Sequence, residues 1–171
     1  MTGWADKKVL VLGLGETGLS LARWLVAQGA CVRAADSREL PPALDTLRAQ
    51  LPQVEIQCGV FRDGMLGNID LIAISPGVPL ADPFVARAIA RGIPVVGDIE
   101  LFARQLAASD SKPTTKVIAI TGANGKTTVT SMVGAMCRAA GLDTMVAGNI
   151  SPAVLDAALQ RNGRQPDAWV L

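Results

Sequence analysis

Short apolar runs alternate with longer segments of helical periodicity along the whole chain. Over the first 108 residues, runs such as Val9–Leu12 and Leu71–Ile74 predict buried β-strands, and the amphipathic segments between such runs predict helices. The predicted strands cover residues 9–12, 31–35, 55–58, 71–74 and 94–96, and the predicted helices cover residues 17–28, 43–51, 83–91 and 99–107. Strands that alternate with helices form parallel sheets with helices on both faces, so we predict an α/β fold.

A polar segment separates this region from a second one with the same alternation. Residues 109–115 contain one proline and show no hydrophobic periodicity, which is typical of a linker between domains. The pattern beyond it predicts strands over residues 117–120, 144–147 and 168–171 and helices over residues 127–140 and 152–160. We therefore predict one domain over residues 1–108 and part of a second over residues 116–171.

Two details of the second region lead to further expectations. Apolar residues recur at helical spacing in the segment 127–140, and we expect them to form one buried face: Val129, Met132, Val133, Met136 and Ala140. The last apolar run, Ala168–Leu171, has the composition of a strand in the middle of a sheet, where a natural chain terminus would be unusual. We therefore expect the chain to be a fragment of a longer protein, with further catalytic groups downstream.

The composition excludes several classes of function. The 171 residues include no histidine, which excludes His-based catalytic triads, His-containing zinc sites and imidazole acid–base chemistry within the chain. Lys and Arg number 16 and Asp and Glu number 15, so we expect neither nucleic acid nor a membrane surface as a partner. Three dispersed cysteines, a polar N-terminus and the lack of a run of about 18 apolar residues predict a cytoplasmic protein.

A first glycine-rich loop follows the first predicted strand. Gly13–Gly18 fits the pattern GxGxxG, in which glycines allow a tight turn and the following helix offers free N–H groups to a phosphate. Asp36, about 20 residues further on, lies where such proteins read a ribose hydroxyl, and Ser75–Gly77 adds a third loop at the carboxyl ends of the strands. The spacing favours a Rossmann-like dinucleotide site, whereas Glu16 within the loop and Arg38 beside Asp36 count against NAD. Any nucleotide diphosphate satisfies this geometry.

A second glycine-rich loop, Thr121–Thr128, lies between a predicted strand and a long predicted helix. Its end has the form of a Walker A loop, in which backbone N–H groups hold phosphates, Lys126 reaches the β- and γ-phosphate oxygens and the Thr127 hydroxyl binds Mg²⁺. The first glycine of the standard pattern is replaced by Ile120, so the loop is a shortened variant. The sequence therefore predicts the beginning of a P-loop-type ATPase α/β domain.

Taken in order, these motifs resemble those of the Mur ligase family. The resemblance rests on the two glycine loops and on the segments Asp36–Arg38, Ser75–Gly77, Gly97–Phe102 and Gly148–Ile150, and it extends along essentially the whole chain. It implies an N-terminal domain that holds the UDP end of UDP-N-acetylmuramoyl-L-alanine, followed by the start of a central ATP-binding domain. It also implies an ATP- and Mg²⁺-dependent ligase that phosphorylates the substrate carboxylate. The amine of D-glutamate then attacks the acyl phosphate, and the tetrahedral intermediate expels phosphate.

The resemblance also implies a set of site residues. Those implied for the UDP-linked substrate are Gly15, Glu16, Thr17, Asp36, Ser37, Arg38, Ser75, Pro76, Gly77 and Asn149. Those implied for ATP are Gly122, Ala123, Asn124, Gly125, Lys126, Thr127 and Thr128, with Lys126 and Thr127 catalytic and Thr127 the metal ligand. The family's magnesium-binding glutamate, carbamylated lysine and histidine would all follow residue 171, so we expect this chain alone to be inactive. We also expect the protein to be a monomer.

Two other functions remain open on the motifs alone. An NAD(P)-dependent oxidoreductase would use the first glycine loop as an ordinary dinucleotide site. A nucleotide-sensing module attached to an unrelated NTPase would hydrolyse ATP without an amino-acid substrate. The triplet Asp36–Arg38 and the shortened second loop favour the ligase over both.

Overall fold

The computed structural model of the chain describes residues 3–108 and 115–171, and these divide into two compact units, Met1–Leu101 and Phe102–Leu171. Apart from Thr115, the predicted linker lies outside the described residues. The division between the units falls inside a helix, α4 (Asp98–Ala107). None of the helices in the described ranges is long and apolar enough to cross a membrane.

The first unit is built on a five-stranded, fully parallel sheet of order β3-β2-β1-β4-β5. Its strands are β1 (Lys8–Leu12), β2 (Cys31–Asp36), β3 (Glu55–Cys58), β4 (Leu71–Ile74) and β5 (Val95–Val96). Its helices are α1 (Glu16–Ala27), α2 (Leu44–Gln50), α3 (Pro83–Ala90) and the start of α4, with a short 3₁₀ turn at Asp63–Leu66. The strand order and the parallel pairing confirm the predicted α/β, Rossmann-like architecture.

The core of this unit lies on both faces of β1. Strand residues from β1 and β4 that point to one face pack against α3: Leu10, Leu12, Ile72 and Ile74 against Phe84, Val85 and Ala88. Val9 and Val11, which point to the opposite face, are also fully buried. Burial on both faces explains why these strands are continuous apolar runs without alternation. The N-terminus of α3 is fixed by Asp82, whose carboxylate accepts a hydrogen bond of 2.8 Å from Phe84 N–H.

The second unit contains a three-stranded parallel sheet of order β6-β8-β7. Its elements after the remainder of α4 are β6 (Lys116–Ile118), α5 (Lys126–Ala139), β7 (Thr144–Val146), α6 (Val154–Gln160) and β8 (Ala168–Val170). β8 lies between the other two strands, which confirms that its apolar sequence is that of a middle strand. Trp169 on this strand is buried and packs edge-on against Phe102, with ring centroids 4.8 Å apart.

The predicted buried face of α5 is wrong for most of its members. The side of the helix that meets β7 instead carries Thr130 and Gly134, and a Cβ at Gly134 would lie only 2.3 Å from Val146 Cγ2. The helix therefore approaches the sheet through small residues, which leaves no room for the larger apolar ones. Those turn outward: Val129 is 46% exposed, Met132 59% and Met136 68%, Ala140 is exposed, and Val133 is half-buried. The periodicity identified an apolar face, but not which face packs.

Candidate functional site

Three loops of the first unit meet at the carboxyl edge of its sheet. They follow β1, β2 and β4, which are neighbours and run parallel, so their ends lie side by side. Together the loops form a cleft of about 350 Å³. Its lining residues are Gly13, Gly15, Asp36, Ser37, Arg38, Ser75, Gly77 and Val78. The structure thus brings residues from all three predicted nucleotide-binding segments into one concave surface.

The surroundings of the three glycines in the first loop differ from one another. Gly13 has a φ of +87°, its N–H donates to Ala35 O at 2.8 Å, and a Cβ there would lie 2.8 Å from Val78 Cγ2. A Cβ on Gly18 would lie 1.8 Å from Gly13 O, so only glycine lets α1 pack against the loop. Gly15 differs, because the space beside its Cα is open. It precedes α1, whose N-terminus has no side-chain cap and so offers N–H groups to an anion.

Not every predicted residue lines the cleft. Glu16 is exposed in the first turn of α1, where its negative charge is compatible with the positive end of the helix dipole. Thr17 is half-buried and Pro76 is exposed, and neither belongs to the lining residues. Val78 does line the cleft and was not predicted, because an isolated valine after a turn carries no sequence signal.

Asp36 makes the most extensive polar contacts of the cleft. It is almost completely buried, and its Oδ2 accepts hydrogen bonds from Leu14 N–H and from Nη2 of Arg38, both at 2.6 Å. Its Oδ1 accepts from the backbone N–H of Arg38 at 2.9 Å and from Nε of the same residue at 2.8 Å. Four intramolecular donors therefore surround the carboxylate that the spacing assigned to a ribose hydroxyl. The Arg38 side chain remains 54% exposed.

These contacts fix the charge of the site. Burial alone would raise the pKa of Asp36, but hydrogen bonds from the Arg38 guanidinium and from the N–H groups of Leu14 and Arg38 outweigh it. The net effect lowers the pKa of Asp36 from 3.8 to about 2. The same pairing raises the pKa of Arg38. The carboxylate and the guanidinium are therefore both charged throughout the neutral pH range.

The second glycine loop lies in the second unit, between β6 and α5. Gly125 precedes α5 with a φ of +73°, a left-handed conformation that favours glycine, and α5 has no side-chain cap. Lys126 Nζ donates to Gly122 O at 2.5 Å and to Ala123 O at 3.3 Å. Residues 121–129 are all exposed, including the Thr127 and Thr128 side chains and Asn124. An uncapped helix N-terminus, a lysine and a hydroxyl thus lie together at the end of a parallel strand.

Asn149 is exposed and lies in the turn that follows β7, next to Gly148 with a φ of +117°. Since β7 and β6 both run parallel to β8, this turn and the second glycine loop are at the same edge of the three-stranded sheet. Within residues 3–108 and 115–171 there is no group of three or more His, Cys, Asp or Glu side chains that could hold a metal ion. The Thr127 hydroxyl would therefore need phosphate oxygens or other groups to complete a magnesium site.

Comparison with known sequences gives a consistent result. The family model for the N-terminal domain of MurD-like Mur ligases matches residues 7–97. The chain is 54% identical over 167 residues to the UDP-N-acetylmuramoylalanine–D-glutamate ligase of Nitrosospira multiformis, a match that covers 96% of this chain and 35% of that protein. It is 57% identical over 151 residues to the ligase of the same name from Methylobacillus flagellatus, covering 88% of this chain and 32% of that protein. The chain thus spans about a third of the length of these relatives.

Solved structures agree on the fold. The chain is similar to the UDP-N-acetylmuramate–alanine ligase of Thermotoga maritima, with a TM-score of 0.52 and 22% identity over 80% of this chain and 30% of that one. It is also similar to a type C pseudomurein peptide ligase of Methanothermus fervidus, with a TM-score of 0.51 and 24% identity over 97% of this chain and 32% of that one. At these identities the likeness concerns the fold alone.

Proposed function

This chain belongs to the family of MurD-like Mur ligases, and from that membership we propose that its first unit binds the UDP end of UDP-N-acetylmuramoyl-L-alanine. The whole enzyme would then join D-glutamate to that substrate. The observation that carries the proposal is the cleft of about 350 Å³, because it is lined by the glycine loop, by Asp36–Arg38 and by the Ser75 loop of one sheet edge. We infer the identity of the substrates from the names of the relatives, which are UDP-N-acetylmuramoylalanine–D-glutamate ligases.

Each loop of the cleft has a separate role in this proposal. The diphosphate would lie against Gly15 and the N-terminus of α1, where the backbone of Glu16 and Thr17 supplies N–H groups. Ser37 and Arg38 would contact the uridine, with Asp36 beside them. Ser75 and Gly77 would lie near the uracil and the diphosphate. Asn149, in the second unit, is a separate candidate for contact with the sugar-linked part of the substrate. The exposed guanidinium of Arg38 suits this ligand because it adds a positive charge to the cleft that would hold the anionic diphosphate.

The second glycine loop would bind ATP through Gly122, Ala123, Asn124, Gly125, Lys126, Thr127 and Thr128. The residues present fit a phosphate, since α5 has an uncapped N-terminus and Lys126 already lies across the loop. Lys126 would exchange its contact with Gly122 O for phosphate oxygens and neutralise their charge, and the Thr127 hydroxyl would be a magnesium ligand. Bound ATP with Mg²⁺ supplies the phosphoryl group that activates the substrate carboxylate.

The proposal extends to the state of the protein. We expect a monomer that acts in the cytoplasm, and we expect no ligase turnover from these 171 residues, because they span about a third of the relatives. Formation of the D-glutamate adduct by the purified 171-residue chain would contradict the last expectation. Size-exclusion chromatography with light scattering measures the oligomeric state.

The experiment that tests the function is thermal unfolding of the 171-residue chain with UDP-N-acetylmuramoyl-L-alanine, UDP, NAD or ATP–Mg²⁺. A ligand at a hundred times its Kd stabilises a protein by about 2.7 kcal/mol, so even weak binding is measurable at millimolar concentration. We expect the two UDP compounds to raise the Tm and NAD to leave it unchanged. A shift with NAD alone would overturn the proposal and indicate an oxidoreductase. Arg91→Ala, at an exposed arginine that follows α3 and lines neither the cleft nor the pocket beside Ser37, is the control that should retain the UDP shift.

A further inference from the structure

Asp36 connects two loops of the cleft that are distant in sequence. Its carboxylate accepts from Leu14 N–H in the glycine loop after β1 and from the backbone and side chain of Arg38 in the loop after β2. A carboxylate has about four acceptor positions, and four donors from these two residues occupy them. The side chain is 3% exposed, so solvent has little access to it. The acceptor positions of Asp36 are thus used by donors of the protein, although its position in the sequence is the one at which an acid binds ribose hydroxyls.

Arg38 is held differently. Nε and Nη2 contact the two oxygens of Asp36 in a two-point arrangement, which fixes the plane of the guanidinium. These contacts use two of its five N–H donors, and 54% of the side chain stays exposed beside the cleft. A guanidinium restrained on one side and open on the other is prepared for a ligand without a further loss of side-chain freedom.

We propose that Asp36 is a positioning residue: it orients the Arg38 guanidinium and fastens it to the glycine loop, and the nucleotide is recognised by the oriented Arg38 instead of by an acid on its ribose. This rests on the proposed UDP site. The cleft should therefore prefer a nucleoside diphosphate that binds to the positively charged Arg38 guanidinium. A dinucleotide that requires a free carboxylate for its ribose hydroxyls finds no such acceptor in this cleft.

A double-mutant cycle on UDP affinity tests the coupling. The variants are Asp36→Asn, Arg38→Ala and the combination of both, with Kd for UDP measured by calorimetry on the 171-residue chain. Loss of a charge-assisted hydrogen bond corresponds to about a tenfold or greater weakening, which we expect for each single variant. We expect the double variant to bind no more weakly than the weaker single one, because Asp36 acts only through Arg38. The proposal would be overturned if the double variant weakened UDP binding by the product of the two single effects, or if Asp36→Asn left the Kd unchanged.

A second variant keeps the test independent of folding, because Asp36 is buried and its replacement could unfold the loop. Arg38→Lys keeps the charge on an exposed residue but cannot make the two-point contact with Asp36. We expect its UDP affinity to fall toward that of Arg38→Ala, and an affinity equal to wild type would refute the proposal.

The matched control is a second arginine–aspartate pair of the same unit. Arg91 Nη2 contacts Asp63 Oδ2 at 2.9 Å, but both side chains are about half exposed, at 50% and 47%, and neither lines the cleft or the pocket beside Ser37. Arg91→Ala and Asp63→Asn should leave Kd for UDP unchanged. Absence of UDP binding in the wild type would overturn both the proposed function and this inference. Wild-type binding with independent effects of the two cleft variants would overturn the inference alone.

Discussion

The two glycine loops of this chain follow the same plan and differ in how firmly they are held. Each joins a parallel strand to a helix whose N-terminus has no side-chain cap. The first loop is held by Gly13 N–H on Ala35 O, by Leu14 N–H on Asp36 and by the close approach of Gly18 to Gly13 O. The second loop is exposed throughout, and the side chain of Lys126 folds back onto its carbonyl groups.

The difference follows from where each preceding strand lies in its sheet. β1 is the middle strand of five, so its loop has neighbours from β2 and β4 that complete a cleft. Within residues 3–108 and 115–171, β6 pairs only with β8, and Val117 on β6 is 47% exposed. The first loop forms part of a defined cleft because the two strands adjacent to β1 supply further loops. In the first unit, the glycine motif thus determines the turn after β1, whereas the loops of the neighbouring strands determine the cleft.

The largest expected effect comes from replacing the glycines of the two loops by alanine. Gly18→Ala places a Cβ 1.8 Å from the backbone oxygen of Gly13, which cannot be relieved by a side-chain movement, so we expect a loss of about 3 kcal/mol or more. Gly125→Ala meets no atom within 4 Å and carries only the strain of a φ of +73°, about 1 kcal/mol. Urea unfolding measures both, and equal losses would contradict the contrast between the loops.

An effect of intermediate size is expected from acid. The folded-state pKa of Asp36 is lowered to about 2 from 3.8, so its contribution to stability is complete above about pH 4 and is lost as the pH falls toward 2. The contribution is about 2 kcal/mol. The stability difference between wild type and Asp36→Asn should therefore shrink by that amount between pH 4 and pH 2. Urea unfolding at several pH values measures it.

The comparison with Asp36→Asn is necessary because Asp98 also makes the stability depend on pH. Burial raises the pKa of Asp98, against hydrogen bonds from its own N–H and that of Ile99, so this group changes stability with pH in the opposite direction. Taking the difference between two proteins that share Asp98 removes its contribution. A difference that stays constant from pH 4 to pH 2 would show that the carboxylate of Asp36 is not stabilised as the hydrogen bonds indicate.

Much of the first unit could be predicted from sequence because its signals are local. The apolar runs at residues 9–12 and 71–74 are buried on both faces, and a continuous apolar run is the direct result of that burial. The glycine loop was also predictable, since Gly18 is required by its contact with Gly13 O in the same loop and Gly13 by its positive φ. The sequence places Arg38 beside Asp36, but the hydrogen bond from Leu14 N–H was not predictable, because Leu14 lies 22 positions away and the choice between a protein donor and a ribose hydroxyl depends on geometry.

The packed side of α5 was not predicted correctly, because it also depends on contact with another element of the fold. Its apolar stripe predicts a buried face, but the small residues Thr130 and Gly134 allow the closest approach to β7 and determine which side packs. A periodic pattern records the polarity of each side of a helix, whereas the packed side is selected by the shape of its neighbour. Large apolar residues on one helix face therefore do not identify the contact with this sheet.

The smallest expected effect is at Met136, which is more exposed than Val129 and Met132 in that stripe. Its side chain is 68% exposed, so Met136→Ala removes little buried surface and should change the free energy of unfolding by less than about 0.5 kcal/mol. The matched substitution Met65→Ala, at a methionine that is 5% exposed in the core of the first unit, should cost about 2–5 kcal/mol. Calorimetric or urea unfolding compares the two. A loss of more than about 1 kcal/mol at Met136 would show that its side chain is covered in solution, and would restore the face that the periodicity predicted.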